Sequence, residues 1–443
     1  MAATRKITNR AFSVLLIAAL VVCGMGVYVT RYIEHGKDWA LYFSRANSGA
    51  TGHIVDRNGI TLAYFDEVRS VYSPDRVTRA ANYHITGDYW GRTGTGILSR
   101  LWDDVHGFSL LTGTTHIGSD TQLELTYDAR LNNQIYEAIG DWASGCMIVC
   151  NYRTGELLGM VSAPSVDPLD TGGEQRDGAF INRCISASFT PGSIFKLVTA
   201  AAAIENLKGL DSMQWYCEDE FKIAGVPFVC VANHYTQNFE QAMANSCNVA
   251  FAQIAVKVGQ NTLIRYARDY GFLDGHSIDG IPTAKGSFPL EFVGDPETGW
   301  AGIGQSTDMV VPYSMLRFLC AVANGGVLVE PHFLPGERAE TTQLVLPSTA
   351  ERLKALMRNN AITHYEADSN FPGLPICAKT GTAELGDGDS HSWFVGFLDD
   401  EEHPYAFVTL IERGGFGLSR AGGITNKVLQ WAVKNMDADN AVS

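Results

Sequence analysis

The chain has 443 residues, 46% of them hydrophobic, enough to bury a sizeable core and to build one large domain beside a smaller one. This composition excludes a largely disordered chain. Its net charge of −15, with no clustered Lys/Arg segment, argues against a nucleic-acid partner, because neutralising phosphates needs such clusters.

Residues 11–30, AFSVLLIAALVVCGMGVYVT, carry no formal charge, and about twenty apolar residues span a bilayer core. Arg5, Lys6 and Arg10 precede them. The expected layout is a cytoplasmic tail over 1–10, a transmembrane anchor over 11–30 in the lipid bilayer, and the remainder outside the cytoplasm. No convincing small-residue cleavage site follows the run, and LVVC lacks the small residue wanted before a lipoprotein cysteine, so the anchor reads as uncleaved.

Residues 31–120 read as a small, β-rich pedestal module. In HIVDRNGITLAY, Asn58-Gly59 lies between two apolar runs as a hairpin signal, and GRTGTG and LTGTT read as loops. A large domain is expected over 121–443. It opens with a strand and a helix in QLELTYDARLNNQIYEAIGDWA, where Leu131, Ile135, Ile139 and Trp142 recur at helical spacing. CMIVCNY and ELLGMVSA flank Arg153-Thr154-Gly155 as an antiparallel hairpin.

From Ile194 to Leu356 the pattern is mostly helices and long loops, including NVAFAQIAVKVG and VPYSMLRFLCAVANGG. Cys217 and Cys230 bracket CEDEFKIAGVPFVC around an AGVP turn, which suits either a local disulfide or two buried free thiols. Among the nine cysteines there is no Cys-x-x-Cys pair and no zinc-type His spacing, so neither a metal site nor a cofactor is expected. Strands return at PICAKTGTAE, SWFVGFLD and YAFVTLIER, and ITNKVLQWAVKNM closes the chain as an amphipathic helix. The implied fold class is α+β: one antiparallel sheet flanked by helices, with a helical subdomain inserted in sequence between its strands.

Three short motifs carry chemistry. In TPGSIFKLVTAAAAIE, Ser193 and Lys196 stand three apart, a separation that brings a hydroxyl and an ammonium together on one helix face. Serine needs a positioned base to become a nucleophile, and a lysine among Phe195, Leu197 and Val198 loses its proton more readily. Pro191-Gly192 would begin the helix at Ser193, where free N–H groups suit an oxyanion. NSCNVAF places Ser246 and Asn248 ahead of an apolar helix. AKTGTAE sets Lys379, Thr380, Gly381 and Thr382 on a strand whose edge could take a peptide carboxylate by strand addition. Glu384 and His391 lie nearby, but read as a solvated strand-end carboxylate and a structural histidine.

Each motif alone is weak, but the order Ser-x-x-Lys, Ser-x-Asn, Lys-Thr-Gly is specific, and it is the set known for penicillin-binding proteins and class A β-lactamases. The chain resembles the class B penicillin-binding proteins, most nearly the short PbpA and SpoVD-related group. GHIVDRNGITLA resembles the family's start-of-pedestal segment, LTYDARLNNQIYEA the segment that opens its catalytic domain, and NRCISASFTPGSIFK and HSWFVGF also fit.

The resemblance implies a peptidoglycan D,D-transpeptidase that acts on stem peptides and is acylated by β-lactams, with a SEDS-type membrane glycosyltransferase as polymerising partner. It implies Ser193 as nucleophile, Lys196 as base, Ser246 and Asn248 as proton relay and positioning groups, and Lys379 to Thr382 as the carboxylate-binding strand. The oxyanion hole would be the N–H groups of Ser193 and Thr382. One departure stands out: Ile194 replaces the Thr common after the serine. A D,D-carboxypeptidase, a β-lactamase or a non-catalytic β-lactam-binding scaffold remain as alternatives. The second fits poorly, since no E-x-x-L-N follows Asn248.

Overall fold

The computed structural model describes residues 2–46, 52–66, 69–88, 91–101, 108–109, 113–114, 121–170, 172–218, 220–288, 294–305, 307–336 and 339–436. The chain divides into two compact units, of which the first comprises Met1–His53, Tyr64–Val71 and Leu101–Leu123. Its main element is the helix Ala2–Ala46, and Ala11–Ile33 within it is the one helical stretch among the described residues long and apolar enough to cross a membrane. The LTGTT loop falls largely outside the described residues.

The second unit comprises Ile54–Ala63, Tyr72–Arg100 and Glu124–Ser443. At its start the Asn58-Gly59 turn forms as expected. Gly59 adopts φ +77°, and the buried Asp56 carboxylate accepts from the N–H groups of Asn58, Ile60 and Ala129 at 2.7–2.9 Å. One aspartate thereby closes the turn and ties it to the first residue of the helix Ala129–Ile139.

A five-stranded antiparallel sheet forms the centre, and its strands are those expected. Its order runs Ile376–Glu384, Ser390–Leu398, Tyr405–Ile411, Gly145–Asn151, Leu157–Ala163. The three inner strands are buried on both faces, apart from the half-buried Ser390 at one end, which explains their near-continuous apolar sequence. Helices Ala129–Ile139 and Gly423–Asn435 cover one face through Leu131, Ile135, Val428 and Leu429 against Val149, Val161 and Phe407. Each such side chain contributes about 1.5–3 kcal/mol on burial. Helix Pro312–Ala323 packs against the strands Tyr405–Ile411 and Gly145–Asn151, and helix Pro347–His364 runs along the edge strand Ile376–Glu384.

Two sequence expectations need correction. Trp142 lies beyond the end of its helix, which stops at Gly140 with φ +83°. It is exposed, with the Arg420 guanidinium 4.2 Å above its ring. The region read as helices and long loops also holds short hairpins: Glu220–Ile223 pairs with Val226–Val229, and Trp215–Cys217 with Tyr235–Gln237. The turn at Ala224-Gly225 has positive φ at both residues, 48° and 86°, the geometry of a tight two-residue hairpin.

Candidate active site

Ser193 does not begin a regular α-helix. It sits in a 3₁₀ turn, Gly192–Ile194, and the α-helix runs from Lys196 to Asn206. The i,i+3 relation survives, because a 3₁₀ turn places residues three apart above one another. The turn is pinned from three sides. Gly192 N–H donates to the Gly304 carbonyl at 2.8 Å, Trp393 Nε1 donates to the Thr190 carbonyl at 3.0 Å, and a methyl on Gly192 would meet the Thr382 carbonyl oxygen at 2.9 Å. Gly192 also has φ +56°, so glycine satisfies both the backbone angle and the close approach.

Lys196 is fully buried, and its Nζ reaches four oxygens: Ser193 Oγ at 3.0 Å, Ser246 O at 2.6 Å, Asn248 Oδ1 at 2.7 Å and Ser246 Oγ at 3.4 Å. The carbonyl of Ser246 and the amide oxygen of Asn248 can only accept. A neutral amine spends its two N–H bonds on these two short contacts, which leaves its lone pair for the Ser193 hydroxyl. Burial lowers the Lys196 pKa to about 8, which favours that neutral form.

Ser246 reaches this position through a strained joint. It has φ +50° at the end of helix Phe239–Ala244, where the Cys247 N–H bonds back to the Ala242 carbonyl, a cap that ordinarily takes glycine. A non-glycine residue there costs roughly 1–3 kcal/mol, and the return is a carbonyl aimed at Lys196. Asn248 then opens the next helix, Asn248–Val258.

Lys379 is also fully buried, and it donates to Ser246 Oγ at 2.8 Å and to the Thr380 carbonyl at 3.0 Å. Burial, and then the neighbouring Lys196, push its pKa well below the ordinary 10.5. Thr380 N–H donates to the Tyr365 hydroxyl at 3.0 Å, so it points away from the paired strand. In an antiparallel strand the residue two positions on points the same way, which turns the Thr382 N–H to the same open edge, beside Ser193. The Thr382 carbonyl facing Gly192 agrees with that direction.

All the residues singled out from the motifs therefore converge. Ile194, the departure, is buried beneath Gly381, where an added methyl would meet its Cγ2 at 2.9 Å. His391 is buried, accepts from the Arg413 N–H at 3.3 Å and packs edge-on against Phe189, while Glu384 is exposed. Two contributors went unnoticed in the sequence. Tyr365 holds both the Thr380 N–H and its Oγ1, the latter at 3.2 Å, and the Gly417 N–H donates to Thr382 Oγ1 at 3.4 Å. Neither lies in a motif.

Cys217 and Cys230 are free thiols rather than a disulfide. The expectation of no metal site rested on sequence spacing, which does not register side chains that meet only in the fold. Cys217, Cys230, His234 and Cys247 converge with their ligand atoms all within 4.8 Å of one another. They come from two hairpins and a helix joint, so no compact sequence pattern marks them.

Ser-x-x-Lys, Ser-x-Asn and Lys-Thr-Gly thus meet in one hydrogen-bonded cluster, and residues 145–430 match the family described as Penicillin binding protein transpeptidase domain. The chain belongs to that family. Stage V sporulation protein D of Bacillus subtilis (strain 168) is 28% identical over 256 residues, covering 54% of this chain and 39% of that protein. Peptidoglycan D,D-transpeptidase PbpA of Mycobacterium tuberculosis is 26% identical over 323 residues, covering 63% of this chain and 64% of that one. This member of the transpeptidase family therefore spans less than two thirds of either relative. Among solved structures, the ceftriaxone acyl-enzyme complex of penicillin-binding protein A from M. tuberculosis superposes with a TM-score of 0.75 at 22% identity, over 87% of this chain and 98% of that one. It has the same fold, and the α+β architecture expected from the strand and helix pattern is the fold of this family.

Proposed function

We propose that the chain is a serine D,D-transpeptidase that cross-links peptidoglycan stem peptides through an acyl-enzyme on Ser193. The observation that carries this reading is the placement of Lys196 Nζ, 3.0 Å from Ser193 Oγ and held by two acceptors that leave a lone pair free for it.

In the first step Lys196 takes the Ser193 proton as Oγ attacks the carbonyl of the penultimate D-Ala. The developing oxyanion is held by the N–H groups of Ser193 and Thr382, worth about 3–4 kcal/mol per donor in comparable sites. Collapse breaks the amide bond. The proton returns through Lys196 and Ser246 to the leaving amine, and D-Ala departs. The amine of a neighbouring strand then attacks the ester by the reverse route, and Ser193 regains its proton.

The substrate's terminal carboxylate lies against Thr380 and Thr382, close enough to Lys379 to favour its ammonium form. A β-lactam presents the same carboxylate and a strained amide, so it acylates Ser193 and leaves slowly. Residues 11–30 hold the enzyme in the bacterial membrane with the catalytic domain outside, and strand polymerisation falls to a partner glycosyltransferase of the SEDS type. Residues 31–120 serve as its pedestal.

The test is labelled penicillin incubated with the full chain and followed by intact mass beside Ser193→Ala. A lasting adduct on the native chain only, together with D-amino-acid exchange into a stem peptide, is expected. No adduct, an adduct surviving in Ser193→Ala, or rapid adduct loss without exchange would overturn the reading.

A further inference from the structure

Between the two hairpins and the second motif lies a cluster that the chemistry above does not use. Cys217 ends the strand Trp215–Cys217, Cys230 follows the strand Val226–Val229, His234 precedes Tyr235–Gln237, and Cys247 separates Ser246 from Asn248. His234 Nδ1 lies 3.6 Å from both Cys217 Sγ and Cys230 Sγ, and Cys230 Sγ lies 3.9 Å from Cys247 Sγ. Cys217 and Cys247 are fully buried.

These separations have a specific meaning. A disulfide would bring two sulfurs to about 2.05 Å, far shorter than the 3.9 Å between Cys230 Sγ and Cys247 Sγ. In a tetrahedron with Zn–S of 2.3 Å and Zn–N near 2.05 Å, ligand edges come to about 3.8 Å for S···S and about 3.6 Å for S···N. These three separations match those values, and all four ligand atoms lie within 4.8 Å of one another, so the remaining edges need to close by at most about 1 Å around an ion. The donor set, three thiols and one imidazole, is a structural zinc set, and soft sulfur selects zinc over magnesium or calcium. The Ala250 N–H donates to Cys247 Sγ at 3.3 Å, supplying the outer-shell bond that ligating sulfurs usually accept.

We propose that Cys217, Cys230, His234 and Cys247 bind one Zn²⁺, and that this ion fixes the joint carrying Ser246 and Asn248 to the paired hairpins. Cys247 is bonded in sequence to both motif residues, so a metal holding its sulfur holds the Ser246 carbonyl and the Asn248 side chain that orient Lys196. Asn248 Nδ2 donates to the Val229 carbonyl at 3.4 Å, a second tie to the arm that carries Cys230. Without the ion, these contacts must hold three neighbouring thiols and a strained Ser246 with hydrogen bonds alone. The metal assignment stands independently; its effect on acylation rests on the transpeptidase reading.

The full chain, purified in detergent with reductant from zinc-supplemented cells, is analysed for metal by mass spectrometry. One zinc per chain is expected, falling at least about tenfold in Cys217→Ala and His234→Ala. Exchange of the native chain with Co²⁺ needs no variant and is expected to give the visible bands and sulfur charge transfer of a tetrahedral cobalt–thiolate centre. Chelation is expected to slow penicillin adduct formation about 10- to 100-fold, with recovery on adding Zn²⁺. A zinc-free chain with no cobalt–thiolate spectrum, or a disulfide among these cysteines in the chain as isolated, would overturn the site. Bound zinc with an unchanged acylation rate after chelation would overturn its positioning role. Stoichiometric zinc in a chain that no penicillin labels supports the metal site and removes the transpeptidase reading instead.

Discussion

Lys379 Nζ stands 2.8 Å from Ser246 Oγ across 133 residues of sequence, and the same hydroxyl lies 3.4 Å from Lys196 Nζ. Two buried amines therefore share one small bridge. Ser246→Ala removes it while leaving the Ser246 backbone carbonyl on Lys196. Penicillin adduct formation is expected to fall about 10²- to 10⁴-fold, with little change in thermal stability. A rate within about threefold of native, by time-resolved intact mass, would remove Ser246 from the proton route.

In the proposed mechanism Lys196 is the base, a role open only to its neutral form, and burial lowers its pKa to about 8. Acylation should thus rise about tenfold per pH unit below that value and level off above it. Lys196→Arg, whose guanidinium stays charged, should be inactive at every pH. The sign for stability follows from the same shift. Between about 8 and 10.5 the unfolded chain binds the proton that the folded chain has released, so this group's contribution to stability grows with rising pH across that window. A rate profile flat between about pH 6 and pH 9 would show that another group takes the proton.

Ile194 fills the space beneath Gly381. Ile194→Thr, which restores the family's usual residue, puts a hydroxyl in that dry position. It is expected to destabilise the domain by about 1–3 kcal/mol while acylation stays within a few-fold of native. Denaturant melts and adduct kinetics on the same preparation separate the two effects. A large gain in acylation rate would mean that the isoleucine restrains the chemistry.

Tyr365→Phe removes the acceptor of the Thr380 N–H and the partner of its Oγ1. A buried N–H left unpaired costs about 1–3 kcal/mol. The expected result is a lower melting temperature and weaker binding of a peptide substrate, seen as a raised KM, with kcat less affected. Unchanged KM would show that Tyr365 supports the strand and not the carboxylate site.

How far the sequence could be read depended on the range of each relationship. Ser193 and Lys196 are local, three residues apart, and their pairing follows from helical spacing whether the turn is 3₁₀ or α. The five sheet strands were also legible, because strands buried on both faces leave long apolar runs. Tyr365 was not. Its role comes from where the helix Pro347–His364 ends beside the edge strand, and nothing near it in sequence signals a partner. The Cys/His cluster was hidden for the same reason, since its ligands meet only after two hairpins pair and a helix joint closes on them. Trp142 shows the opposite error: helical spacing extended past the glycine at which the helix ends.

The strand Ile376–Glu384 is an outer member of its sheet, and free sheet edges invite other chains to pair with them. Here Tyr365 occupies the Thr380 N–H and Gly192 presses against the Thr382 carbonyl, so the opening between them is short. A peptide docking there has few positions in which its backbone can engage, and so slides little. On the transpeptidase reading, the groups that blunt the edge against aggregation would also act as a ruler, setting which bond of an incoming peptide stops over Ser193.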